Sequence, residues 1–284
     1  MLVDEVAFLL RPRGAGWIID GTVGMGGHAH AMLSRTPDDV RLLGLDRDPE
    51  ALQRAEARLA PFAGRVHLAH ASFRDVRQVA HAHGVTATRA ILLDLGVSSY
   101  QLDESGRGFT FAADEPLDMR LDPTTGEPAS ALLNRLPEDE LARILFEYGE
   151  EVHARRIARA IVRRRPLATT GALVAVVRGA VPRKAWPRRL HVATKTFQAV
   201  RMAVNDETGA LRHALPQAAA LLESGARLGV ISFHSGEDRI VKQTFRSMPA
   251  YAELEPSPLT PGADEVRANP RARSAKLRVL ERLL

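Results

Sequence analysis

Residues 17–28 read Trp-Ile-Ile-Asp-Gly-Thr-Val-Gly-Met-Gly-Gly-His, an apolar strand that runs straight into a glycine-dense turn. No other feature constrains the fold as strongly, because a buried strand that turns sharply and restarts as a helix opens an α/β sheet. Gly21, Gly24, Gly26 and Gly27 lack a Cβ, so the backbone there can take positive φ and let a bulky ligand touch the main chain. Glycine-rich turns also punctuate ordinary loops, so the next strand has to decide between the two readings.

Residues 41–48, Arg-Leu-Leu-Gly-Leu-Asp-Arg-Asp, form a second apolar run ending at Asp46. That carboxylate lies about 20 residues beyond the glycines, where a ribose-binding acid is expected. Because Gly24-x-Gly26-x-x-Ala29 also satisfies a relaxed dinucleotide fingerprint, this region alone leaves a nicotinamide and an S-adenosylmethionine cofactor both open.

The alternation continues, with strands expected at 17–21, 41–46, 66–71 and 89–95 and helices at 27–35, 48–60 and 74–83. Such a βαβ series predicts a parallel sheet with helices on both faces. Residues 103–127 then break the pattern as an aperiodic loop, followed by helical segments near 137–148, 150–165 and 169–180. A helix at 207–223 and a buried strand at 227–233 resume the sheet, so about a hundred residues read as inserted into one α/β domain. Residues 252–275 read as a loop, and Lys276 to Leu283 as a final edge strand.

A third chemical site is Leu92-Leu93-Asp94-Leu95-Gly96-Val97-Ser98-Ser99-Tyr100-Gln101, where the fourth strand ends. Ligands of open α/β sheets bind outside the carboxyl ends of strands, so Asp94 shares an edge with the glycine turn and Asp46. Phe73, after the third strand, is a candidate stacking face for adenine. Each has a plainer reading alone: Asp94 as a helix cap, Phe73 as core, Ser98 and Ser99 as turn residues. His28/His30 and His81/His83 have His-x-His spacing without further ligands nearby, so no metal site is assigned. His234 falls on the ligand edge but equally suits a bond to a neighbouring backbone carbonyl.

The 284 residues, 45% of them apolar, suffice for a full core. No run of about 18 apolar residues and no signal-peptide layout is present, and cysteine is absent, which fits a cytoplasmic protein with neither disulfides nor thiolate chemistry. The net charge of +5 comes with 35 Arg against 4 Lys, a skew that genome composition also explains. Its distribution says more. Between Val152 and Asn205 there is no acidic residue, while Arg155, Arg156, Arg159, Arg163, Arg164, Arg165, Arg178, Arg183, Lys184, Arg188, Arg189, Lys195 and Arg201 are basic. A one-sign block of this kind is the footprint of a polyanion, although charge runs also merely solvate a surface.

With these segments in view, the chain resembles the bacterial 16S ribosomal RNA cytosine-N4 methyltransferases, the small-subunit methyltransferase H family. The likeness spans nearly the whole chain. It rests on Asp-Gly-Thr-Val-Gly-Met-Gly-Gly-His at 20–28, Leu-Asp-Arg-Asp-Pro at 45–49 and Asp-Leu-Gly-Val-Ser-Ser-Tyr-Gln-Leu-Asp at 94–103. Arg-Gly-Phe-Thr-Phe at 107–111, Pro-Leu-Asp-Met-Arg at 116–120, Thr-Phe-Gln-Ala-Val-Arg at 196–201, Ser-Phe-His-Ser-Gly-Glu-Asp-Arg at 232–239 and Asn-Pro-Arg-Ala-Arg-Ser-Ala-Lys at 269–276 extend it.

The resemblance implies a Rossmann-like class I methyltransferase sheet over 1–103 and 201–284, with an inserted, mainly helical substrate-recognition domain over 104–200. It implies S-adenosylmethionine as donor and, as acceptor, the exocyclic amine of a decoding-region cytidine in 16S ribosomal RNA, within the small ribosomal subunit. A homodimer is also implied. By matching motifs, Gly26, Gly27 and His28 line the methionine end of the cofactor, Asp46 holds its ribose, Phe73 contacts the adenosine, and Asp94 and Gln101 complete the pocket. Tyr100 stands where proline is frequent in the family and Gly236 where leucine is frequent, and the family's usual His-x-Pro-Val-Leu start is missing, which reads as a truncated beginning.

Methyl transfer from a sulfonium needs alignment and polarisation, with no metal and no covalent intermediate. The cytosine amine is a poor nucleophile, so acceptors for its N–H groups are wanted, and Asp94 and the hydroxyl of Ser98 are the candidates for catalysis. The base must also leave its stack, and Tyr100, Phe109 and Phe111 are candidates to receive it, unless they only close the loop. A nicotinamide oxidoreductase would leave the basic block and the 94–99 segment unexplained. An RNA-binding protein without catalysis would explain the basic block, and Arg107-Gly108-Phe109-Thr110-Phe111 weakly echoes an RNA-recognition sheet motif in the wrong helix–strand context; failure to bind any adenosyl cofactor would favour it.

Overall fold

The computed structural model describes residues 1–12, 14–188 and 190–283. The chain divides into two compact units, residues 1–96 with 208–284, and residues 97–207. Arg189 of the basic block and Leu284 lie outside the described residues.

In the first unit the described residues form a sheet of seven strands: β1 Gly16–Asp20, β2 Val40–Asp46, β3 Val66–His70, β4 Thr88–Asp94, β5 Leu222–Ser232, β6 Tyr251–Glu253 and β7 Lys276–Arg282. Their spatial order is β3-β2-β1-β4-β5-β7-β6. The first five are mutually parallel, and β7 runs antiparallel between β5 and β6. This is the Rossmann-like, doubly wound arrangement that the resemblance implies. Two expectations need correction. The 276–283 strand is interior, paired on both sides, and the sheet is mixed because that strand is inverted. The segment expected as loop from 252 contributes part of β6, the true edge.

Period-two alternation gives the sheet its two cores. Ile19, Leu43, Leu45, Ile91, Leu93, Leu228 and Val230 face one side, with Leu211 and Leu215 of helix Glu207–Leu221 and Val76 of helix Val76–Ala82. Ile18, Leu42, Leu92, Ile231 and Val279 face the other, with Val6, Ala29, Met32, Ala55 and Leu59. Helix Pro49–Leu59 shows the local logic. Asp48 accepts the N–H of Glu50 at 3.1 Å, Pro49 supplies a ready φ, and Ala51, Ala55 and Leu59 recur every four residues on the buried stripe.

The second unit is helical around one core that includes Leu133, Leu141, Ile157, Ile161, Leu173, Val177, Phe197 and Val200. Helices Glu138–Glu147, Ala154–Arg164 and Thr170–Ala180 fall where the periodicity put them, while Ser99–Asp103, Ala129–Arg135 and Thr194–Asn205 were not foreseen. Helix Thr194–Asn205 ends with Asp206 in the left-handed region at φ 47°. Among the described residues no helix is long and apolar enough to cross a membrane.

Candidate functional site

The strand register places the site. Asp20, last residue of β1, pairs with Gly44 on β2 and with Leu92 on β4. Asp46 and Asp94 lie two residues further along those neighbouring strands, so all three carboxylates belong to the same sheet face. With strands about 4.8 Å apart and two residues of rise, each flanking aspartate is about 8 Å from Asp20, Cα to Cα. Helix Gly27–Leu33 covers that face, and His28 is its second residue.

The turn between β1 and this helix is shaped by its glycines. Gly26 sits at φ 77°, and a Cβ on it would stand 3.3 Å from Leu59 and 3.4 Å from Ala55. At Gly21 a Cβ would come within 2.6 Å of Leu93. At Gly27, by contrast, a Cβ would meet only Arg58 Nη1, at 3.9 Å, so the space beside it is less crowded than at Gly21 or Gly26. Asp46 organises the loop from the next strand. Its Oδ2 accepts the N–H of Gly24 at 2.7 Å and its Oδ1 that of Asp48 at 2.9 Å. A carboxylate offers about four acceptor positions, so ribose hydroxyls can still be bound. Burial raises the pKa of Asp46, against the lowering effect of the N–H groups of Asp48 and Gly24.

The remaining polar groups are not satisfied internally. Asp20 Oδ2, both imidazole nitrogens of His28 and Asp94 Oδ1 are buried atoms without a hydrogen-bond partner. His28 Nε2 stands 3.4 Å from Asp94 Oδ2, close enough to interact electrostatically but without hydrogen-bond geometry. The backbone N–H of Asp94 donates to Thr22 Oγ1 at 2.6 Å, tying β4's end to the glycine turn. Orphaned donors and acceptors beside the glycine turn fit a polar ligand with its own hydrogen-bonding groups. Phe73 opens the turn Phe73–Asp75 after β3, half-buried against the core that holds Leu45 and Leu93.

Asp20 went unassigned in the sequence, although it directly precedes the glycines. It is 1% exposed, and burial pushes its pKa up to about 7. His28 and the N–H of Thr22 pull it back, while Asp94 and Asp46 push it further up.

Gly26, Gly27, His28, Asp46, Phe73 and Asp94 thus belong to one edge of the first unit. Ser98 and Gln101 belong to the second unit, where they form a capping box. Ser98 Oγ accepts the N–H of Gln101 at 3.2 Å, and Gln101 Oε1 accepts that of Ser98 at 2.9 Å. Tyr100 and Phe109 are buried, Phe109 within the helical core, so neither offers an open face for a base. Phe111 is 37% exposed, stacked on His191 at 4.5 Å. His234 bonds backbone as one reading had it, but to an N–H: its Nδ1 accepts from Glu237 at 3.3 Å, starting helix Ser235–Arg246.

The basic block is two populations. Arg155, Arg156, Arg163 and Arg164 project from helix Ala154–Arg164 into solvent, opposite buried Ile157, Ala158 and Ile161. Others are structural: Arg165 donates to the carbonyls of Leu133 and Leu136, Arg201 forms a two-pronged pair with Glu207 at 2.8 and 2.9 Å, and Arg178 and Arg183 lie over Trp186 at 5.3 and 6.0 Å.

The family model described as the MraW methylase family matches residues 1–283. A protein called ribosomal RNA small subunit methyltransferase H from Geobacter sp. (strain M21) is 46% identical over 304 aligned residues, covering 100% of this chain and 97% of that one. Its namesake from Heliobacterium modesticaldum is 48% identical over 305, with the same coverage. The crystal structure of an rRNA methylase from Streptococcus thermophilus has a TM-score of 0.45 at 10% identity, covering 99% of this chain and 94% of that one.

Proposed function

We propose a function from one premise: the chain belongs to the MraW methylase family and is an S-adenosylmethionine-dependent methyltransferase. Its acceptor is ribosomal RNA, and within it the N4 amine of a cytidine in the decoding region of 16S ribosomal RNA, met in the small ribosomal subunit. The observation that carries the donor half is the convergence of Gly26, Gly27, His28, Asp46, Phe73 and Asp94 on the carboxyl edge of the sheet, with buried polar atoms left for a ligand. The sulfonium of the donor supplies an activated methyl group.

The chain's residues do the rest. Asp46 holds the ribose, Phe73 lies against the adenine, and the main chain at Gly27 with His28 receives the methionine end. Asp94 accepts an N–H of the cytosine amine through its unused oxygen, freeing the nitrogen lone pair as positive charge develops there. For Ser98 as a second acceptor and Gln101 as a cofactor contact, the support is the family resemblance of the 94–103 segment alone. The exposed arginines of helix Ala154–Arg164 engage phosphate. The enzyme acts as a homodimer. Transfer of labelled methyl to small ribosomal subunits lacking the modification, followed by nucleoside analysis, tests the reading. Label in N4-methylcytidine supports it, and label elsewhere, or none despite donor binding, refutes the acceptor.

A further inference from the structure

The cluster at the strand ends holds more acid than it can keep charged. Asp20, Asp46 and Asp94 share one face, and the groups acting on Asp20 are His28 from the covering helix, Asp46 from β2, Asp94 from β4 and the N–H of Thr22 from the turn. Arg58 of helix Pro49–Leu59 reaches the turn at Gly27. The three carboxylates are not equal. Asp46 is steadied by two backbone N–H groups, and Asp94 has His28 at 3.4 Å. Asp20 is the one left with a single long N–H contact, from Thr22 at 3.2 Å, and with an oxygen that is buried and unpartnered. Among three acids close together in a dry place, the proton settles on the acid whose charge is least supported.

We infer that Asp20 carries a proton in the free protein and releases it to solvent when the adenosyl donor binds. The inference rests on the donor reading given above. S-adenosylmethionine brings a sulfonium and an ammonium against one carboxylate, a net positive charge entering a site lined by carboxylates. That charge adds to the support that His28 and the Thr22 N–H alone give an ionised Asp20 in the free protein. Asp20 is therefore a positioning residue for the donor, one that makes donor uptake depend on pH while touching none of the transferred atoms. The position of Asp20 near neutrality, at about 7, puts the exchange in the physiological range.

The test is calorimetric titration of the full chain with S-adenosylmethionine at pH 6.5, in two buffers of different ionisation enthalpy. A group with a pKa of about 7 that ionises fully in the complex releases about three quarters of a proton at that pH, and the association constant rises about fivefold from pH 6 to 7 and less than twofold from 7 to 8. Asp20→Asn should bind with neither proton release nor pH slope. Should Asp20→Asn fail to fold, difference infrared spectra of the wild-type chain decide, through loss of a protonated-carboxyl band on binding. Donor binding without proton release, or release that persists in Asp20→Asn, overturns the inference. Failure of the donor to bind at any pH overturns the donor reading itself, and this inference with it.

Discussion

Replacing Asp20 by Asn should stabilise the ligand-free protein, and should do so only where the carboxyl of Asp20 is ionised in the unfolded chain. The side chain keeps its shape, so the contacts to Thr22 and the sheet register are preserved. The sign is set by the direction of the shift. A carboxyl whose pKa rises from 3.8 unfolded to about 7 folded binds more protons in the folded state. Its stabilising contribution is complete below pH 3.8, falls as pH rises, and is gone above about 7. A shift of roughly three units corresponds to about 4 kcal/mol, an upper figure because side-chain relaxation and water entry soften burial. Wild-type stability should therefore decline between pH 4.5 and 7.5 relative to the variant, with the two nearly equal at the acid end. Loss of the attraction between Asp20 and His28 works against the gain, and relief of repulsion from Asp94 and Asp46 works with it. Urea denaturation followed by Trp17 fluorescence isolates the sheet unit, given Trp186→Phe in both proteins to silence the other indole. A stability difference independent of pH, or a variant that is weaker throughout, would show that Asp20 is ionised and supported in the free fold.

Four further variants probe particular residues. Arg163→Glu with Arg164→Glu should weaken RNA binding and lower the salt slope by about 1 for each phosphate no longer neutralised, with donor affinity unchanged, as read by filter binding across salt concentrations. Arg165→Ala should instead lower the melting temperature, because two carbonyls lose a charged donor, at about 1–3 kcal/mol; an unchanged melting temperature would refute its structural assignment. Gly26→Ala should cost about 1–2 kcal/mol for its φ of 77° and reduce donor affinity in the same titration that measures it for wild type. Asp94→Asn should slow methyl transfer more than it weakens donor binding, and an undiminished transfer rate would remove Asp94 from the mechanism.

The turn at 20–28, Asp46 and Asp94 were legible because their signals are local: apolar runs of strand length, each closed by a polar residue at a fixed distance from glycine. Strand β7 was misplaced for a complementary reason. Its central run Leu277-Arg278-Val279-Leu280 is buried throughout, as in an interior strand, but an arginine in the middle reads as an exposed edge. What makes Arg278 tolerable there is distant in sequence: Asp238 at 2.8 Å and Glu253 at 2.7 Å. Helix Thr194–Asn205 carries a buried stripe that includes Thr196, Phe197 and Val200, but in the sequence the same residues stand out only as a motif, Thr-Phe-Gln-Ala-Val-Arg. Helix Ser99–Asp103 is too short for any period to show. The split of the basic block was invisible for the same reason as Arg278, since only tertiary partners distinguish Arg165 from Arg164.

That contrast also separates acids that hold the fold from acids that wait for something else. Asp238 is partly buried, which would raise its pKa, yet hydrogen bonds from Arg278 and Lys276 hold it below the usual carboxylate range. Asp118 behaves likewise with Arg120. Each is a carboxylate whose charge the fold answers. Asp20 is more deeply buried than either and faces two further carboxylates, with one imidazole and one N–H to support it. Beside it on the neighbouring strands stand Gly44 and Leu92, neither of which offers a polar side chain, and its one hydrogen bond is the long one from the Thr22 N–H at 3.2 Å. A fold that pairs Asp238 and Asp118 so completely does not leave Asp20, His28 and Asp94 short of partners for want of cations. In the donor reading proposed above, that deficit is what a ligand bringing its own positive charge to the carboxyl edge of the sheet would satisfy.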